Sequence, residues 1–167
     1  MTEDGLCRIF AEKVRTSPQF AAWIIGRSKF AQFSAASRLL YEEQVARRPK
    51  VKPQNWWRHW WCTIPGLNEQ RETDIFLTFE TTGVPKRFAI HIENKKGDGS
   101  FLPGQAEAYF PRAAFMLNQW KYLDCSDFET ILIAPSNFVQ FNKSQCGLFG
   151  CQLSYEEIGD FIPEFRT

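Results

Sequence analysis

The chain reads as an α/β protein, with a mixed central β-sheet flanked by helices and a helical N-terminal region. Two observations predict this. Apolar residues recur at helical spacing through about residue 50, and from about residue 57 the period shifts to the two-residue alternation of strands. The order helices, strand hairpin, helix, strand is then that of a mixed sheet with helices packed against it. No internal repeat, low-complexity run or linker divides the sequence. Residues 1–167 therefore read as one domain, helical over about 1–50 and with sheet and helix over about 55–135.

Each element has its own signature. Leu6, Ile9, Phe10, Lys13 and Val14 share one face of a helix over 4–15, with Thr2 or Asp4 as its N-cap. Ser17-Pro18 restarts a helix, because proline suits a first turn, and Phe20, Trp23, Ile24 and Arg27 continue the stripe. Phe30, Phe33, Ser37, Leu40, Tyr41 and Gln44 predict a third helix over 28–47, ended by Pro49 and Pro53. Residues 57–63 alternate as a strand stopped by Pro65-Gly66, although the spacing of Trp56, Trp57, Trp60 and Trp61 also suits a helix. Residues 74–80 and 88–93 read as two strands joined by a turn containing Gly83 and Pro85. A glycine-rich loop (97–104), a helix (105–120) and a strand (129–134) follow. A last strand over 147–153 and a short helix near 154–160 close the chain.

Bulk properties narrow the function classes. Hydrophobic residues at 44% and charged residues at 23% exclude a disordered chain. The net charge of +1 decides nothing about nucleic acid, because a local basic groove can coexist with an acidic site. No apolar run is long enough to cross a bilayer, and the acidic start Met-Thr-Glu-Asp is unlike a signal peptide. Cys7, Cys62, Cys125, Cys146 and Cys151 are odd in number and lack a CxxC pair, as expected of reduced thiols in a cytoplasmic protein.

The chemistry concentrates in Asp74, in Glu93-Asn94-Lys95 and in Gln105 with Tyr109. Residues two apart on a strand share a face, so Glu93 and Lys95 project together, and Asp74 at the head of the neighbouring strand can lie opposite them. Two carboxylates suit a hard cation such as Mg²⁺ or Mn²⁺, which polarises a phosphodiester and activates water. An ammonium can orient that water or offset charge on the phosphate. Ala89, Ile90 and Ile92 lead directly into Glu93, so the acid ends a buried strand, where an ion needs a partner. Gln105 and Tyr109, at i and i+4, share a helix face that can reach those carboxylates or a phosphate. The ordinary reading of the same residues is a salt bridge across a hairpin and an amphipathic helix.

This ordered set resembles the PD-(D/E)xK nuclease superfamily, with its restriction-endonuclease-like fold, and within it the RecB-type branch that adds a QxxxY helix after the E-x-K strand. The resemblance covers about residues 1–135. It implies a Mg²⁺- or Mn²⁺-dependent deoxyribonuclease, with Asp74, Glu93 and the main-chain carbonyl of Asn94 holding the metal. Lys95 would assist the water, and Gln105 and Tyr109 would form the QxxxY motif. A glutamate on the first helix would complete the metal site, which nominates Glu3, with Glu12, Glu42 and Glu43 as rivals. Thr73 stands where the family usually has proline, and Cys7 where it usually has threonine. DNA is the expected partner, with RNA open, and a homo-oligomer is compatible with the family. The alternative is a catalytically inactive module of the same fold that binds nucleic acid or a protein.

Two further features carry weaker readings. The basic run Arg47-Arg48-Pro49-Lys50-Val51-Lys52 precedes Trp56-Trp57-Arg58-His59-Trp60-Trp61, a pairing suited to phosphates and unpaired bases. Most of these tryptophans read as core, and the basic residues stay open. His91 shares the face of Glu93 and reads as a satisfied structural histidine.

Overall fold

The computed structural model describes residues 1–66 and 70–166, with Gln70 described by its backbone alone. Helix α1 (Glu3–Thr16) starts where Thr2 Oγ1 accepts the Gly5 N–H at 3.1 Å, and Glu3 and Asp4 complement the positive end of its dipole. Helix α2 (Pro18–Arg27) follows after one residue, capped by Ser17 with Pro18 in its first turn. Leu6, Phe10, Val14, Phe20, Ile24 and Ile25 form the apolar face that these two helices bury.

The third helix departs from expectation. Residues 28–47 form a 3₁₀ turn at Ala31–Phe33, strand β1 (Ser37–Leu39) and the shorter helix α3 (Tyr41–Arg47). Local serine bonds compete with the helix: Ser28 Oγ donates to Ile25 O and accepts from Phe30 N–H, and Ser37 Oγ donates to Phe33 O. The phenylalanines that looked like one helical face pack instead on Phe88, Phe30 with ring centroids 4.2 Å away. Tertiary pairing overrides a good helical period here.

The other strands are β2 (Trp60–Thr63), β3 (Gln70–Thr73), β4 (Ile75–Thr81) and β5 (Arg87–Asn94). Helix α4 (Gln105–Phe115) and strand β6 (Asp127–Ala134) follow. Next come α5 (Ser136–Phe141), α6 (Lys143–Cys146), β7 (Cys151–Ser154) and α7 (Tyr155–Ile158). Five strands form a mixed sheet in the order β1-β4-β5-β6-β7, antiparallel as far as β5 and parallel from β5 to β7. Strands β2 and β3 pair separately as an antiparallel ribbon. Helices α1 and α2 cover one face of the sheet against Leu77, Ile90, Ile92, Ile131 and Ile133; α4 covers the other against Phe76, Ala89, Phe128 and Leu132.

Four other expectations need correction. The last strand, read over 147–153, is β7 at Cys151–Ser154, and residues 147–150 form turns and bends. The helix placed at 105–120 ends at Phe115, because Asn118 turns left-handed at φ 54° and its N–H goes to Cys125 O. Residues 57–63 are part turn and part strand: His59 sits at φ 61°, and β2 starts only at Trp60. The strand read as starting at Asp74 is two strands, β3 and β4, with Asp74 at the bend between them.

Past the three residues of β1, side chains complete the edge of β4. Gln44, fully buried on α3, accepts from Thr78 N–H at 2.9 Å and from Thr78 Oγ1 at 2.8 Å. Its Nε2 donates to Phe76 O at 3.1 Å, while Phe76 N–H donates to Trp57 O at 2.8 Å. The edge therefore presents few open backbone groups to another strand.

On the same strand Glu80 accepts from Arg87 Nε at 2.8 Å and from Arg38 Nη2 at 2.6 Å, and these bonds, Arg87 first, hold its carboxyl below the usual glutamate value. A depressed folded pKa stabilises above the unfolded value and is lost as pH falls through the folded one. Glu80→Gln is expected to cost about 1 kcal/mol at neutral pH, with the difference closing below about pH 4. Urea unfolding of both proteins at neutral and acid pH measures this, and a pH-independent difference would rule out the ionic origin.

Candidate active site

The period of β5 sorts its side chains. Phe88, Ile90 and Ile92 enter the core beneath α1, and Asn94 points the same way, donating to Glu3 O at 3.2 Å and Cys7 Sγ at 3.3 Å. Glu93 and Lys95 face α4. Glu93 is fully buried, and its Oε1 accepts from Gln105 Nε2 at 2.7 Å and from Lys95 Nζ at 2.8 Å, while its Oε2 accepts from Tyr109 Oη. Gln105 is aimed by its own loop, since its Oε1 accepts Leu102 N–H at 3.0 Å, just before Gly104 adopts φ 72° to open α4.

Asp74 joins this group from the bend between β3 and β4. Its Oδ2 accepts the Asn94 N–H at 2.9 Å, and its own N–H reaches Tyr109 Oη at 3.4 Å. Glu3, at the first turn of α1, accepts the Lys96 N–H at 3.4 Å and feels the charges of Lys95 and Glu93. The rival glutamates lie elsewhere: Glu12 pairs with Arg15, Glu43 with Arg87 at 2.9 Å, and Glu42 is exposed on α3. The structure thus brings together Glu3, Asp74, Glu93, Asn94, Lys95, Gln105 and Tyr109, residues spread over a hundred positions of sequence.

The electrostatics are those of crowded acids. Desolvation, and after it the charge of Glu93, holds the Asp74 carboxyl well above the ordinary aspartate range. Desolvation likewise raises Glu3. Burial works against the charge on Lys95, yet Glu93, with Glu3 and Asp74 behind it, lifts its ammonium above the usual lysine value. Tyr109 is pushed well up by burial and then by Glu93, so it stays a neutral donor. Glu93→Gln therefore touches more than chemistry. It removes the counter-charge of buried Lys95 and weakens three converging bonds, so it is expected to cost about 2 kcal/mol of stability. A thermal melt unchanged from the parent would show that Lys95 finds another partner.

A cavity of about 410 Å³ opens over Asp74, walled by Glu3, Gln105, Arg112, Arg71, Trp57 and Trp61. A larger hollow of about 670 Å³ follows α1 past Lys13, Tyr41 and Pro163, and it contains none of Glu3, Asp74, Glu93 or Lys95. Of the tryptophans, Trp56, Trp57 and Trp60 are core, and only Trp61 is exposed beside the site. Arg48 is structural: its guanidinium donates to the carbonyls of Asn55, Trp56, Arg58 and His59 and lies over the Trp60 ring. Lys50 and Lys52 are exposed.

His91 is structural but only half satisfied. Its Nδ1 lies 3.3 Å from Thr73 Oγ1, while its Nε2 is buried with no partner among the described residues. Burial, aided by Arg112, pushes its pKa down to about 3, so it is neutral. Two contributors go unread in the sequence. Tyr155, from the last thirty residues, donates to Asn94 Oδ1 at 2.8 Å and braces the strand end from below. Arg112 continues the face of Gln105 and Tyr109 by three more residues, a helical repeat that the sequence does display.

Among the described residues, no three His, Cys, Asp or Glu side chains gather closely enough to form a ready metal cage. The expected Glu3, Asp74 and Glu93 set is therefore assembled loosely, with Glu93 already holding Lys95, Gln105 and Tyr109. No helix among the described residues is long and apolar enough to cross a membrane. No protein family, curated protein or solved structure matches the chain.

Proposed function

We propose that this chain is a Mg²⁺- or Mn²⁺-dependent nuclease of the restriction-endonuclease-like fold that hydrolyses DNA phosphodiester bonds. The observation that carries the reading is the link between Asp74 and Glu93. They come from different segments, Asp74 from the bend before β4 and Glu93 from β5, and are tied together through Tyr109 and the Asn94 amide, with Lys95 bonded to Glu93 and a polar cavity open over Asp74.

The donor chemistry fits such a cation. All the candidate ligands are hard oxygens, and Mg²⁺ typically takes one or two carboxylates and keeps several waters, so it needs no closed cage. Asp74 and Glu93 would hold it, with the main-chain carbonyl of Asn94, and Glu3 adds negative charge from α1. The raised Asp74 and Glu3 carboxyls describe acids short of a counter-charge, which a dication supplies. Once bound, it acts as a Lewis acid on phosphate and lowers the pKa of water. Lys95 then orients the attacking water or offsets charge on the phosphate. Gln105 and Tyr109 position Glu93, and Glu93 positions Lys95.

One observation favours a second reading, a non-catalytic nucleic-acid-binding module: both oxygens of Glu93 are taken up by protein donors. Incubation of the protein with linear and circular DNA, with Mn²⁺ or with EDTA, separates the two. Metal-dependent cleavage supports the nuclease, and binding without cleavage supports the module. Cleavage of circular DNA further identifies an endonuclease.

A further inference from the structure

Among the described residues, Arg112 is a buried cation without a counter-ion. Only 2% of its surface is exposed, although it borders the cavity above Asp74. Its Nη2 donates to Thr73 Oγ1 at 3.2 Å, its guanidinium lies 4.4 Å from the centre of the Tyr109 ring, and its buried Nε has no acceptor among the described residues. No carboxylate among those residues forms an ion pair with it. A hydroxyl and an aromatic face orient a guanidinium but do not neutralise it, and burying an unpaired charge is costly.

The surroundings point to an anion. Thr73 immediately precedes Asp74, so the guanidinium is fixed one residue from the acid cluster yet pairs with none of it. His91, which shares the Thr73 hydroxyl, is neutral and offers no negative charge. Arg58 and Arg71 border the same cavity, Arg58 paired with Asp4 at 2.8 Å and Arg71 donating to Pro103 O at 3.1 Å. The planar fork of arginine matches two oxygens of one phosphate.

We infer that Arg112 is a substrate-binding residue, taking a backbone phosphate of the nucleic-acid strand that lies in the cavity over Asp74. Arg112 thereby holds the strand against the wall that Asp74 and Gln105 also line. The inference deepens the nuclease reading and rests on it.

The test uses the full chain carrying Asp74→Asn, which is expected to bind without cutting, and a fluorescein-labelled single-stranded oligonucleotide followed by anisotropy across a salt series. Adding Arg112→Met, which keeps the aliphatic stem, is expected to weaken binding by roughly tenfold. It should also lower the slope of log affinity against log salt by about one phosphate contact. A purely structural role would leave that slope unchanged. Arg112→Lys should keep the slope and still lose affinity, because an ammonium lacks the fork. An unchanged slope and affinity in Arg112→Met overturns the proposal. If Arg112→Met fails to fold, parental affinity in Arg112→Lys overturns it instead. A parent that neither binds nor cuts nucleic acid removes the nuclease reading and this proposal together. A parent that binds and cuts, with an indifferent Arg112, removes the proposal alone.

Discussion

Asp74→Asn is expected to lower DNA cleavage by about 10³-fold or more and, in the absence of metal, to raise the melting temperature. The two effects share a cause. The Asp74 carboxyl is held well above its ordinary range by desolvation and by Glu93. An acid whose folded pKa is raised stabilises below its unfolded value, and that contribution is lost as pH rises through the folded value. At neutral pH the metal-free protein therefore carries a penalty for keeping the Asp74 carboxyl out of water beside Glu93. Asparagine removes the charge and keeps an oxygen to accept the Asn94 N–H, now made at 2.9 Å. Melts in EDTA from acid to neutral pH should show parent and variant diverging as pH rises, with the variant higher. Cleavage assays at saturating Mn²⁺ give the other half. Parental turnover in the variant would move the site elsewhere, and identical melts would mean that the carboxyl is solvated. A site that sacrifices stability for charge density follows the usual conflict between the two.

The second large effect is structural and lies far from the cavity. Gln44→Leu is expected to destabilise the fold by about 4 kcal/mol, because it strands the Thr78 N–H and the Phe76 carbonyl in a sealed edge. For a chain of this length that corresponds to roughly 10 °C or more in melting temperature. Leucine is no smaller than glutamine, so the loss would come from unmet hydrogen bonds rather than from a void. Urea unfolding checks this, and a loss below about 1 kcal/mol would show that water or a shifted α3 satisfies the edge.

The sequence displayed the grouping of the candidate residues better than the fold around them. The alternation of Ala89 to Lys95 fixes which residues share a face, and the four-residue step from Gln105 to Tyr109 fixes a helix face; both are local properties of the backbone period. The structure brings those two faces together. Glu3 could be nominated but not chosen over Glu12, because the choice depends on where α1 begins against Lys96. Residues 28–47 failed for the opposite reason. Their helical period is genuine, yet Ser37–Leu39 is drawn into the sheet by Thr81–Phe79, forty residues away, and no local pattern encodes that pairing. Strand β3 was likewise hidden, since its residues Gln70–Thr73 are polar and gain their order from β2. Tyr155 belongs to the same class, a residue whose importance comes from a contact sixty-one positions distant.

The bond from the Asn94 N–H to Asp74 also gives the protein a spectroscopic handle. Most amides of β5 are locked into ladders on both sides and should exchange with deuterium only when the whole sheet opens. The Lys95 amide, one residue past β5, extends that ladder through its bond to Ile133 O. The Asn94 amide is shielded by a carboxylate instead of a carbonyl, so its chemical shift and exchange rate follow the ionisation and position of Asp74 directly. Its resonance reports the state of the candidate site from the central strand of the sheet, with no label attached and no residue changed.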